Sequence, residues 1–251
     1  MDADERSSKG EWYGEFSERL SAYLERLRLR IGTEPGNIAG TALGEVKYHL
    51  EALHRVVDRY RERSQTFVDL HRAFFESVQQ HEHPHELTAE EEESLAQRWP
   101  VQSELRQEIE TFYLFARILL DKMTQALVAC LGQGKYAPTS HSKLISKADQ
   151  YLGEQGVRPV PDELRSLMTE LDSTVTDFRD DVIVHDQSAR GLRPIGWDRD
   201  SKLAYLIYSR LYPRERDEQI TGLPPTVVMD TICHYAMSWL DYLESVESNA
   251  S

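Results

Sequence analysis

The segment Phe178-Arg179-Asp180-Asp181-Val182-Ile183-Val184-His185-Asp186 sets an arginine, a histidine and several carboxylates close together. Histidine exchanges protons near neutral pH. Arginine grips a phosphate through parallel hydrogen bonds and stabilises charge that develops in the transition state. Together they suit phosphodiester cleavage, and no metal is needed where a ribose 2′-hydroxyl serves as the internal nucleophile. Six helical positions rotate by about 600° and rise about 9 Å, which leaves Arg179 and His185 about a third of a turn apart. The long arginine arm, a tightened helix end or a second copy across a two-fold axis would bring them onto one target. Asp180 and Asp181 sit in the last turns of that helix, where negative charge opposes the macrodipole unless a cation compensates. Plainer readings stay open. His185 continues the apolar stripe one turn past Val182, as a core histidine or a helix-terminal cation would, and Arg179 fits an exposed salt bridge.

Other groups could carry chemistry. After the motif come Arg190, Arg193, Arg199, Lys202, Arg210, Arg214 and Arg216, interleaved with Trp197, Tyr205, Tyr208 and Tyr212. Arginine with stacking rings is what single-stranded RNA contacts use; pairing with Asp198, Asp200, Glu215 and Asp217 on an ordinary surface fits equally. His81, His83 and His85 alternate with Glu82 and Glu86 and could ligate zinc or nickel. No second ligand group stands at a recognisable spacing, which favours a solvated loop. Glu51 and His54 form one Glu-x-x-His pair, where a di-iron bundle needs two, so a ferritin-like metal protein is a distant reading. Glu110, Arg117, Asp121 and Thr124 fall near one helix face. They fit a cleft lining, or a solvated edge with Arg117 and Asp121 paired. No phosphate loop, nucleophile elbow, zinc-protease helix or paired-cysteine ribbon is present.

Arg179, five intervening residues and His185 resemble the R-x(4-6)-H motif of the HEPN superfamily. Asp180 fits the polar residue that usually follows the arginine there. The apolar stretch ETFYLFARILLDKMTQAL, Glu110 to Leu127, is similar to the helix that precedes the motif helix in several members. The resemblance covers roughly Ser103 to Asp186. It implies an all-α helical bundle and metal-independent endoribonuclease activity of the toxin–antitoxin, phage-defence or CRISPR type. It also implies a site assembled across a homodimer, and no cofactor. His185 would transfer the proton, Arg179 would bind the phosphate, Asp180 would orient them, and Arg190, Arg193 and Arg199 would contact RNA. An antitoxin or defence-complex partner is part of that expectation. Some members are inactive, so the alternative is a non-catalytic helical interaction or regulatory module with an inactive HEPN-like core.

The elements that must position these residues read as helices. The first ten residues are charged and predict disorder. Residues 11–251 then predict a single helical domain, with the HEPN-like core at about 103–186. Trp12, Phe16, Leu20, Leu24, Leu27 and Ile31 mark a first helix. Gly32 to Thr41, GTEPGNIAGT, predicts a loop. Ala42 to about Gln80 predicts a long helix, ended at Pro84. Thr88 and Glu91 form a capping box for a short acidic helix. Ser103 to Leu131 predicts a central helix closed by Gly132. A short helix follows at about Ser140 to Leu152, and another runs from Asp162, behind Pro161, to about His185. Residues 187–225 read as an irregular or β-hairpin insertion, with a short helix in KLAYLIYSRLY as the other possibility. Thr226 to about Glu247 is the final helix.

The chain has 251 residues, with 43 acidic against 29 basic and a net charge of -14. That balance opposes a broad nucleic-acid coat, which needs a basic footprint, but leaves room for one confined site. The excess acid sits in helix surfaces and in runs such as Glu90 to Glu93. Cys130 and Cys233 have no metal or redox spacing and suit a reducing cytoplasm. Phe112 to Leu131 is long enough to span a bilayer, but Arg117, Asp121 and Lys122 within it predict a buried soluble helix.

Overall fold

The computed structural model describes residues 3–79, 86–179, 195–198, 200–209 and 219–248. The elements among them are mostly helical: α1 (Ala3–Ile31), α2 (Thr33–Gln79), α3 (Ala89–Leu131), α4 (His141–Glu154), α5 (Asp162–Asp172) with a π-helical continuation (Ser173–Asp177), and α6 (Pro225–Ser248). Three short strands, β1 (Ile195–Trp197), β2 (Ala204–Ser209) and β3 (Gln219–Thr221), form one antiparallel sheet in the order β1-β2-β3. None of the described helices is long and apolar enough to cross a membrane.

Contacts divide the chain into two compact units, Met1–Glu51, Arg117–Ser173 and Asp230–Ser251 in the first, Ala52–Ala116 and Thr174–Met229 in the second. Helical periodicity carries no sign of this division, because α2 and α3 each contribute to both units.

In the first unit, α1 begins at Ala3, inside the stretch whose charge predicts no order. Gly32, at φ +89°, ends α1 in the left-handed conformation, and its N–H returns to the Arg28 carbonyl at 3.1 Å. The predicted loop from Gly32 to Thr41 is otherwise helical, since α2 starts at Thr33. Pro35 lies in its first turn, where no intrahelical N–H is required. The glycines serve packing. A Cβ on Gly36 would lie 2.5 Å from Arg28 Cγ and 3.0 Å from its Cα. Phe16, Leu20, Tyr23 and Leu27 of α1, Leu43, Val46 and Leu50 of α2, and Ile232, Tyr235 and Leu240 of α6 are buried in this unit. Arg19 pairs with Asp241 at 2.6 Å and Arg26 with Glu247 at 2.8 Å, tying α1 to α6.

In the second unit, the capping box at the start of α3 is present: Thr88 N–H donates to Glu91 at 2.7 Å, and Glu91 N–H to Thr88 Oγ1 at 3.3 Å. The two helices expected after it are one, with Pro100 inside. A single missing rung costs about 3 kcal/mol, and the cap on one side and the buried Leu105, Ile109, Phe112 and Tyr113 on the other hold both halves helical. The insertion contains a hairpin, and β2 occupies the run for which a short helix was the other expectation. Asp198 closes its turn by accepting from Ser201 N–H at 2.7 Å and Asp200 N–H at 3.2 Å. From α2, Tyr60 Oη donates to the Ala204 carbonyl at 2.6 Å, and Ser64 Oγ donates to the Lys202 carbonyl at 3.0 Å. Opposite Tyr205, Gly196 lets the ring lie over the strand, since a Cβ there would meet the Tyr205 ring at 2.4 Å.

Candidate functional site

Of the motif residues, Arg179 is described; Asp180 and His185 lie outside the described residues, as do Arg190, Arg193 and Arg199. Arg179 is half-buried on the helical continuation of α5. The residue before it, Phe178, is buried and stacked on Tyr113 of α3, with centroids 3.7 Å apart and planes at 14°. Tyr113 Oη in turn donates to the Leu223 carbonyl at 2.8 Å. So the arginine leaves the helix next to a ring clamped against the long apolar helix. The turn before it, Ser173–Asp177, is π-helical, a local widening often found at functional sites.

Two polar clusters were not legible as sites. In the first unit, His141 is fully buried. Its Nε2 lies 2.8 Å from Tyr235 Oη, and its Nδ1 3.3 Å from Asp172 Oδ1. Ser142 Oγ donates to the same carboxylate oxygen at 2.8 Å, and Arg117 Nη1 at 2.9 Å. Burial alone would raise the Asp172 pKa, but hydrogen bonds from His141 and Ser142 and the charge of Arg117 outweigh it and hold the carboxyl well below the usual range. The expected Arg117–Asp121 pair exists at 3.4 Å. However, Arg117 is 9% exposed rather than on a solvated edge, and its shorter contact is to Asp172. Glu110 pairs instead with Arg106 at 2.8 Å. Thr124 is buried and donates to the Leu120 carbonyl at 3.1 Å. No spacing rule joins residues 117, 141, 172 and 235, which come from four different helices.

In the second unit, His71 of α2 lies among rings: Phe67 at 5.1 Å, Phe75 at 5.1 Å and Trp197 of β1 at 4.4 Å between centroids. Arg98 of α3 stacks over Phe74 at 4.8 Å and places Nη2 2.6 Å from His71 Nδ1. Burial, and next the Arg98 charge, push the His71 pKa down to about 4, so the ring is neutral at pH 7 and accepts from the guanidinium. Burial also lowers the Arg98 pKa. Among the described residues no carboxylate comes within ion-pair distance of Arg98. Trp197, expected among RNA-stacking rings, belongs to this cluster; Tyr205, from the same expectation, packs on Gly196.

The remaining candidates separate. His81, His83 and His85 lie outside the described residues, and the described His, Cys, Asp and Glu form no group able to hold a metal. Glu51 accepts a hydrogen bond from Tyr13. Burial pushes the Cys130 and Cys233 thiols up to about 12, so neither is a nucleophile at neutral pH. A cleft of about 330 Å³ in the first unit is lined by Arg30, Cys130, Gln155, Gly156, Arg158 and Val246. It lies where the C-terminal ends of α1, α3, α4 and α6 gather, and its arginines complement their negative dipole ends.

No protein-family model, curated protein or solved structure matches the chain.

Proposed function

We propose that the chain is a metal-independent endoribonuclease with an Arg/His site resembling that of HEPN ribonucleases. The observation that carries this reading is Arg179 and His185 at HEPN spacing. The buried Phe178–Tyr113 stack beside Arg179 supports it. His185 moves the proton: the ribose 2′-oxygen forms a bond to phosphorus, the bond to the 5′-oxygen breaks, and that oxygen leaves protonated. The products carry a 2′,3′-cyclic phosphate and a 5′-hydroxyl. Arg179 holds the phosphate and offsets its growing negative charge. Asp180 orients the arginine or histidine, and Arg190, Arg193 and Arg199 guide the strand. The working form is a cytoplasmic homodimer, serving toxin–antitoxin or phage defence with an antitoxin or defence partner.

His185→Ala and Arg179→Ala should each slow cleavage of a single-stranded RNA by about 100-fold or more, followed by gel analysis of product ends. Cleavage at the wild-type rate in both variants sinks the assignment. The net charge of -14 favours a second reading, a non-catalytic module that binds a basic partner. That reading takes over if the wild-type chain and both variants are equally inert on every RNA tried and bind a basic partner alike.

A further inference from the structure

We propose that Arg98, His71 and Phe75 form a subsite for one nucleotide of single-stranded RNA, with the guanidinium on the phosphate and the Phe75 ring against the base. The identity of the ligand rests on the ribonuclease reading; the site itself rests on local chemistry.

The described arginines Arg19, Arg26, Arg59, Arg106 and Arg165 each reach a carboxylate. Among the described residues Arg98 does not, and unlike Arg28, Arg30, Arg55, Arg72 and Arg158, which also reach none, it is not exposed. It is half-buried, and its Nε is sealed from solvent with no hydrogen-bond partner among the described residues. A desolvated cation without a counter-charge is unfavourable, and an arriving phosphate supplies one. The guanidinium is already oriented, since Phe74 lies beneath it at 4.8 Å and His71 holds Nη2. Little side-chain freedom is then lost on binding.

The same cluster offers a stacking face. Phe75 is 46% exposed and neighbours the His71 ring. A large exposed ring beside a cation is the combination that tracks single strands, because every base has a π-face and every nucleotide a phosphate. Of the described acids flanking the cluster along α2, Asp69 is engaged by Lys202 at 3.4 Å and by Gln65 at 2.6 Å, and Glu76, next to Phe75, is exposed and not within ion-pair distance of Arg98. Competition for the guanidinium from that side is thereby reduced.

The test measures binding of a fluorescently labelled, mixed-sequence oligoribonucleotide by anisotropy across a salt series, with the full-length His185→Ala chain so that the strand is not cut. Adding Arg98→Gln should weaken binding roughly 5- to 100-fold. The salt slope of log K should also fall by about 0.7, the loss of one single-strand phosphate contact. Phe75→Ala, at an exposed position that folding tolerates, should weaken binding by a similar factor with the slope unchanged. Unchanged affinity in both variants, weakened binding by Arg98→Gln with no change in slope, or no binding of the oligonucleotide by the parent chain overturns the subsite. Failure of the ribonuclease reading looks different: His185→Ala would cleave as wild type does while Arg98→Gln still weakened binding.

Discussion

Asp172 is the residue on which most of the first unit's buried polarity converges. His141, Ser142 and Arg117 all meet one carboxylate oxygen. Asp172→Asn keeps the shape but leaves Arg117, 9% exposed, facing a neutral group. Breaking a buried pair from one side should cost about 3 kcal/mol, measured by denaturant unfolding at pH 7. The pH dependence follows from the direction of the shift. Folding favours ionised Asp172, so its contribution is complete above the ordinary carboxylate pKa of about 4 and is lost as pH falls below it. The stability gap between wild type and Asp172→Asn should therefore narrow as pH falls below about 4. A gap that widened on acidification would refute this account. None of these partners was foreseen, because burial of a histidine is decided by tertiary neighbours rather than by its local pattern.

At the scale of elements, the glycines of α2 separate two effects. At Gly36 a Cβ would press on Arg28 of α1, whereas at Gly44 nothing lies within 4 Å. Gly36→Ala should destabilise by about 1–3 kcal/mol through overpacking. Gly44→Ala should stabilise by about 0.5–1 kcal/mol, because alanine loses less backbone freedom in a helix. Thermal melts of the two variants, moving in opposite directions, would establish the contrast. The pair also shows where the sequence was readable. Apolar stripes such as Leu164, Met168, Leu171, Val175 and Phe178 marked a helix because burial repeats with its turn, and all five are buried. Gly32 to Thr41 was misread because glycine at a helix crossing and glycine in a loop look alike in one dimension. The acidic helix after Thr88 and the helix from Ser103 read as two, since the tertiary contacts that carry one helix through Pro100 lie far along the chain. The capping box was readable because it is complete within Thr88 to Glu91.

For the molecule as a whole, the two units interleave along the chain, three segments in one and two in the other. A cut between Glu51 and Ala52 therefore splits the first unit but leaves both segments of the second on one fragment. A chain starting at Ala52 lacks Phe16, Leu20, Leu43 and Val46, which line one side of a small apolar cavity opposite Met123, Leu127, Trp239 and Leu240. Such a fragment should bind a hydrophobic dye more strongly than the full chain, through the opened first unit, and dye binding no greater than the full chain's would contradict the division. The π-helical turn at Ser173–Asp177 has a consequence of another kind. Such a turn carries one residue more than an α-turn closing the same gap, so it acts as a phase adjuster for everything downstream. Deleting a single residue there should turn the stretch α-helical and leave Phe178 and Arg179 facing as they do, whereas inserting one more should swing them by about 100° around the axis. Chain length in these five residues, more than their identity, would then decide which side chain meets Tyr113. Variants that gain one residue in this stretch should lose the stack, visible as changed near-ultraviolet dichroism, while those that lose one should keep it, and both should keep their helical content.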